Sequence, residues 1–106
     1  MITALVPVCG RIYYADIGYG DRPFLVVSNN RRNQSLESVL AVRITTSQKP
    51  AIPTVVRLGA DDPVTGFALC DDLAPLYRDE IRSDAGAASP ATMRRIGDGL
   101  RSALAL

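Results

Sequence analysis

Arg22 and Thr45 are the two side chains whose types and places suggest chemistry. Each sits at an end of an apolar run: Arg22 opens "RPFLVV" and Thr45 closes "VLAVRIT". If the two runs are neighbouring antiparallel strands, the start of one lies beside the end of the other. A guanidinium and a hydroxyl would then share one rim. Such a pair offers partners for phosphate and base edges, the guanidinium being a planar fork that pairs with phosphate through two hydrogen bonds. A surface arginine and a strand-ending threonine explain the same residues without any chemistry. Around the pair, the sequence offers further polar groups: Asp21, Thr46, Ser47 and Gln48, then Ser28, Asn29, Asn30 and Arg31. Loops are also polar for solubility alone.

Composition narrows the chemistry. The chain has no histidine, so imidazole acid–base catalysis and imidazole metal ligation are excluded. Cys9 and Cys70 lie far apart without a CxxC spacing and read as buried thiols. Asp61-Asp62 sit in a turn rich in Pro and Gly, and Asp71-Asp72 follow a strand. Both pairs read as turn braces rather than as a metal cluster. No cofactor or metal is expected. Lys49 is the one lysine; every other basic side chain is arginine. A GC-rich genome is the simplest source of that bias, and individual arginines can still be functional. The net charge of +1 decides little.

The elements that would position these groups come next. A chain of 106 residues is expected to form a single domain spanning residues 1–106. The start, "MITALVPVCG", lacks the basic segment and long apolar stretch of a signal peptide, and no run is long enough to span a bilayer, so a cytoplasmic protein is expected. "GRIYYADI" (Gly10 to Ile17) reads as a strand and "GYGD" as a turn. "PFLVVSN" reads as a strand buried on both faces. "NRRNQSLES" is a polar excursion with room for one helical turn. Strands follow at Val39–Thr45, at Thr54–Gly59 and in "FALCDD". "LAPLYRDEIRSD" reads as irregular, with strand character near its end. Five short strands at this spacing suggest a small barrel or a highly twisted sheet. The last segment predicts a helix: Ser89 is its N-cap, Pro90 its first residue, and Met93, Ile96, Leu100 and Leu104 form one apolar face. Gly97 and Gly99 weaken that helix and would allow close packing on the sheet. The expected class is mainly β with a C-terminal helix (α+β).

Taken together, "GRIYYADIGYGDRPFLVVSNN", "VLAVRITTS", "IPTVVRLG", "LCDDLAPL" and "GAASPATMRRIGDGLRSALAL" resemble the MazF/PemK toxins of bacterial type II toxin–antitoxin systems. The likeness runs from Gly10 to the end. It implies an SH3-like twisted small barrel, a homodimer, and a metal-independent endoribonuclease that cuts single-stranded RNA, mRNA or tRNA, through its 2′-OH. It also implies a cognate MazE-like antitoxin with an acidic tail. Arg22 and Thr45 take the places of the family's catalytic arginine and threonine. Thr45 is preferred to Thr46 because it follows the strand's last aliphatic residue, Ile44. The very short "GYGD" turn resembles a sub-group some of whose members cut tRNA. Asp21 stands where it could replace an acid that longer loops carry. Two other readings stay open: a toxin of the same fold that binds DNA gyrase, and an inactive paralogue that sequesters antitoxin.

Overall fold

The computed structural model describes residues 5–106. Six strands and two α-helices follow in the order β1 (Arg11–Asp16), β2 (Asp21–Val26), α1 (Asn30–Ser35), β3 (Ser38–Thr45), β4 (Val55–Arg57), β5 (Phe67–Tyr77), β6 (Ile81–Ala87) and α2 (Pro90–Leu104). They form one sheet in the order β4-β5-β3-β2-β1-β6, with every neighbouring pair antiparallel. The sheet is open, with β4 and β6 at its edges, rather than a closed barrel. No helix among the described residues is long and apolar enough to cross a membrane.

Period-two alternation sends side chains of one strand to opposite faces. On one face Ile12, Leu25, Val42, Ile44, Ala68 and Cys70 pack with Ile96 of α2. On the other, Tyr13, Ala15, Phe24, Val26, Val39, Ala41 and Leu76 form a second cluster. Both faces of β2 and β3 are therefore apolar, which is why their sequences read as continuous apolar runs. Removing each such aliphatic side chain from water stabilises the fold by roughly 1.5–3 kcal/mol.

β5 runs further than the strand expected in "FALCDD". The strand continues through Asp71-Asp72 to Tyr77, and the segment from Leu73 to Tyr77 is paired with β3. A register shift hides it. Val42 pairs with Leu73 but Arg43 pairs with Leu69, so Cys70, Asp71 and Asp72 are extra residues on β5. A bulge of this kind bends a strand and breaks its alternation. Asp71 accepts a hydrogen bond from the Thr54 hydroxyl (2.6 Å) and Asp72 from the Arg43 guanidinium, so the two aspartates pin the bulge to β4 and β3 sides.

The terminal helix starts as its sequence predicts. The Ser89 hydroxyl accepts from the Thr92 N–H at 3.1 Å and Pro90 opens the first turn. Ile96 is buried, and Met93 and Leu100 pack against the core. Leu104 does not join them; it is 49% exposed, and Ala103 packs against the core in its place. Gly99 is the point of closest approach: a Cβ there would stand 2.7 Å from the Cys70 sulfur. Burial pushes the Cys70 thiol up to about 11, and nearby Asp71 adds to this, so the thiol stays protonated and inert at neutral pH.

Candidate functional site

The hairpin and the β2–β3 pairing place the site. Asp16 ends β1, and its carboxylate accepts from the N–H groups of Gly18 (2.8 Å) and Gly20 (3.2 Å). Both glycines have positive φ, 113° and 81° respectively, with open space around them. Their conformation, not crowding, calls for glycine here. This short turn sets Asp21 opposite Asp16 and Arg22 opposite Ala15.

Between β2 and β3 the recorded register is Val26 to Ala41, Leu25 to Val42 and Phe24 to Arg43. Continued two residues further, past Pro23, which has no N–H to give, that register would bring Arg22 opposite Thr45. Directly opposed residues point to one face with Cβ atoms about 5 Å apart. Arg22, Phe24, Arg43 and Thr45 thus belong to the sheet face away from α2. Arg22 and Thr45 line a cleft of ≈ 1110 Å³ at this end of the sheet. The Arg22 side chain is exposed and makes no hydrogen bond or ion pair among the described residues. It is a free guanidinium. Thr45 is half-buried, and its Oγ1 accepts from the Ser47 N–H at 3.2 Å. That bond occupies the oxygen from the chain side and leaves the hydroxyl proton free to donate.

Of the other residues expected at the site, Asp21, Thr46 and Ser47 line the same cleft. Gln48 lines an adjoining groove of ≈ 490 Å³ that shares Thr46 and Thr65 with the first. Ser28, Asn29, Asn30 and Arg31 are not on this rim. They follow the far end of β2, about 20 Å from Arg22 at the rise of an extended strand. Three of the four side chains hold local structure instead. Ser28 is buried; its hydroxyl bonds Asn33 and accepts from the Leu40 N–H. Asn29 caps α1 by accepting from the Arg32 N–H at 2.9 Å, and Asn30 accepts from the Cys9 N–H at 2.8 Å. Arg31 is exposed on α1.

The cleft also contains residues that the sequence reading missed. Tyr19, 75% exposed, and Ile17, 44% exposed, stand on the hairpin turn, and Tyr14 of β1 lines the same cleft. An exposed aromatic on a tight glycine turn was a visible signal. Asp62, Pro63, Val64 and Thr65 close the cleft from the β4–β5 loop, which no local pattern connects to β2. Asp62 faces two ways and is already committed. It accepts from the N–H groups of Ser89 (2.7 Å) and Gly59 (2.6 Å) and from the Thr92 hydroxyl (2.6 Å). Burial would raise its pKa, but the donors from Ser89, Thr92 and Gly59 prevail and hold it below the ordinary carboxylate value. The other cleft carboxylate, Asp21, accepts no hydrogen bond among the described residues. Arg43, two residues before Thr45, completes the cleft's charged groups.

A free guanidinium and a free hydroxyl proton lining one open cleft, with an uncommitted carboxylate beside them, can bind a phosphodiester and stabilise added charge on it. The comparisons with known proteins agree with this chemistry. Residues 9–104 match the model of the "PemK-like, MazF-like toxin of type II toxin-antitoxin system" family. A Mycobacterium bovis protein named "Endoribonuclease MazF1" is 44% identical over 100 residues, 94% of each chain. A solved mycobacterial endoribonuclease in complex with its cognate antitoxin is 44% identical, covers 94% of this chain and 96% of its own, and superposes with a TM-score of 0.90. A MazE–MazF complex from Deinococcus radiodurans shares 26% identity, over 96% of this chain and 98% of its own, at a TM-score of 0.84.

Proposed function

The chain belongs to the PemK-like, MazF-like toxins of type II toxin–antitoxin systems and is an endoribonuclease, and on that premise we propose that Arg22 and Thr45 are its catalytic pair. The observation that carries this reading is their shared cleft, reached from neighbouring strands in opposed register.

The reaction uses the substrate's own nucleophile. The 2′-oxygen attacks phosphorus, the bond from phosphorus to the 5′-oxygen breaks, and a 2′,3′-cyclic phosphate and a 5′-OH end result. The proton leaves the 2′-oxygen and the 5′-oxygen gains one. The enzyme must stabilise negative charge on the phosphoryl oxygens and handle those protons. Arg22 supplies the charged fork, and a preorganised donor of this kind is worth about 10²–10³ in rate. Pro23 keeps Arg22 out of the helical region, which limits its drift. Thr45 donates its free hydroxyl proton to a non-bridging or leaving oxygen. Asp21, adjacent to Arg22, is the carboxylate available to take the 2′-proton. Tyr19 offers a face on which a neighbouring base can stack, and Thr46, Ser47 and Gln48 continue the binding surface.

The substrate is single-stranded RNA, whose bases can be splayed against such a surface. The protein works in the cytoplasm as a homodimer, which covers part of the edge strands and apolar surface left by the open sheet. A cognate antitoxin with an acidic tail lays carboxylates over Arg22 and the neighbouring donors, as an RNA phosphate would. Incubating purified protein with end-labelled RNA, with and without EDTA, tests the reading. Cleavage that survives chelation supports it. Intact RNA at micromolar protein, or rescue of a chelated reaction by magnesium, overturns it.

A further inference from the structure

Arg43 is not explained by phosphate binding. It lines the cleft, on the same face as Thr45 two residues along β3. Unlike Arg22, it is paired. Its Nε donates to Asp72 Oδ2 at 3.1 Å, and one terminal nitrogen lies 3.0 Å from that same oxygen. Both contacts use the side edge of the guanidinium. The other terminal nitrogen, Nη1, has no partner among the described residues. The far edge of the fork, with two parallel N–H groups, therefore remains free. Asp72 sits in the β5 bulge, so it reaches Arg43 from the neighbouring strand and fixes the direction of that free edge.

The pairing has two chemical consequences. Asp72 offsets part of the charge that would make Arg43 a phosphate anchor. It also holds the guanidinium plane still, which matters for reading a base and little for a point attraction. Two parallel donors match the O6 and N7 acceptors on the Hoogsteen edge of guanine, an edge on which no other RNA base presents two acceptors; cytosine offers two, N3 and O2, only on its Watson–Crick edge, and 7-deazaguanine separates the two. We propose that Arg43, buttressed by Asp72, is a specificity-determining residue that reads the O6/N7 edge of a guanine flanking the scissile phosphate. The inference rests on the ribonuclease reading of the cleft and assigns a base preference to it.

The test separates binding from cutting. Wild type, Arg43→Ala, Arg43→Lys and Asp72→Asn would be given short RNAs carrying each base at each position around the cut. Parallel binding measurements would use the same sequences with 2′-deoxy sugars, which cannot react. Wild type should favour guanine at one position by tenfold or more in both assays. Replacing that guanine with 7-deazaguanine, which lacks N7, should remove most of the preference. Arg43→Ala and Arg43→Lys should still cut RNA but show a flat base profile there, and Asp72→Asn should show a weakened preference. The 7-deazaguanine arm needs no variant and stands even if a substitution disturbs folding. An unchanged base profile in folded Arg43→Ala, or a wild type indifferent to 7-deazaguanine, overturns the inference while leaving the ribonuclease reading intact. A uniform loss across all sequences, with a shallower salt dependence, makes Arg43 a phosphate contact and also overturns it. Base-dependent binding without any cutting would instead refute the ribonuclease reading and leave the guanine contact standing.

Discussion

Arg22 and Thr45 line one cleft, each two residues beyond Phe24 and Arg43, the last pair between β2 and β3, although the sequence separates them by an entire strand–helix–strand excursion. The strand ends they occupy are held by apolar residues on both faces, so the pair stands on rigid backbone. Arg22 makes no partner within the chain among the described residues, and Thr45 gives only its lone pair to Ser47. Their remaining capacity faces the cleft.

Arg22→Ala should abolish cleavage and toxicity while leaving the thermal midpoint close to that of wild type. The side chain is exposed and supports no packing. Arg22→Lys should also lose most activity, about 10²-fold or more, because an ammonium keeps the charge and loses the fork. Single-turnover cleavage of labelled RNA measures both. Folded Arg22→Ala cutting at the wild-type rate would remove the residue from the mechanism.

Thr45→Ala should slow cleavage more than Thr46→Ala does. Both line the cleft, but Thr45 is the last residue of β3, while Thr46 lies beyond it between the cleft and the adjoining groove. Treating the products with phosphatase and kinase before electrophoresis identifies their ends. A 2′,3′-cyclic phosphate and a 5′-OH are expected; 5′-phosphate products would replace 2′-OH attack with a hydrolytic route. An equal loss in both threonine variants would remove the preference for Thr45.

The legible parts of the sequence were those governed by local rules. Ser89 and Pro90 announced α2, and the apolar runs announced β2 and β3. The Arg22–Thr45 pairing followed once those runs were taken as antiparallel neighbours. The β5 bulge was not legible, because Cys70-Asp71-Asp72 break the alternation that marks a strand and their partners, Thr54 and Arg43, lie far away in sequence. Ser28, Asn29 and Asn30 lie away from the Arg22 rim for a related reason. Polar residues after a strand have the same composition whether they line a rim or, as here, cap and brace a short helix.

Gly66→Ala should disturb the site through the backbone at the end of β3. Gly66 has φ +129°, and a Cβ there would fall on the Thr45 carbonyl oxygen. The methyl group must push the end of β3 away or force Gly66 out of its conformation. Cleavage should fall at least tenfold, with a lower thermal midpoint. A variant with wild-type activity would show that the Thr45 backbone has slack.

The two glycines of α2 should respond with opposite signs. A Cβ on Gly97 meets only the tip of the Arg101 side chain at 3.7 Å, so Gly97→Ala should stabilise the fold by about 0.5–1 kcal/mol through helix propensity. A Cβ on Gly99 meets the Cys70 sulfur, the Pro53 carbonyl and Val56, so Gly99→Ala should destabilise it despite the same propensity gain, by about 1–3 kcal/mol from overpacking. Denaturant titration of both variants decides. Stabilisation by both would mean that α2 can shift outward without loss.

Asp62 should make the anchoring of α2 depend on pH. Its carboxylate joins the β4–β5 loop to the start of the helix through Ser89 and Thr92, and its folded-state pKa lies below the ordinary value. A depressed carboxylate pKa contributes stability that is present above the unfolded value, near about 4, and disappears as the pH falls through the folded value. In Asp62→Asn the amide still accepts through one oxygen, but its nitrogen cannot accept from Gly59 and Thr92. The variant should therefore melt lower than wild type at pH 7, and the gap should narrow steadily as the pH drops below about 4. Thermal melts of both proteins across that range measure it. A gap that stays constant from neutral to acid pH would show that the charge of Asp62 contributes nothing and that only its shape matters.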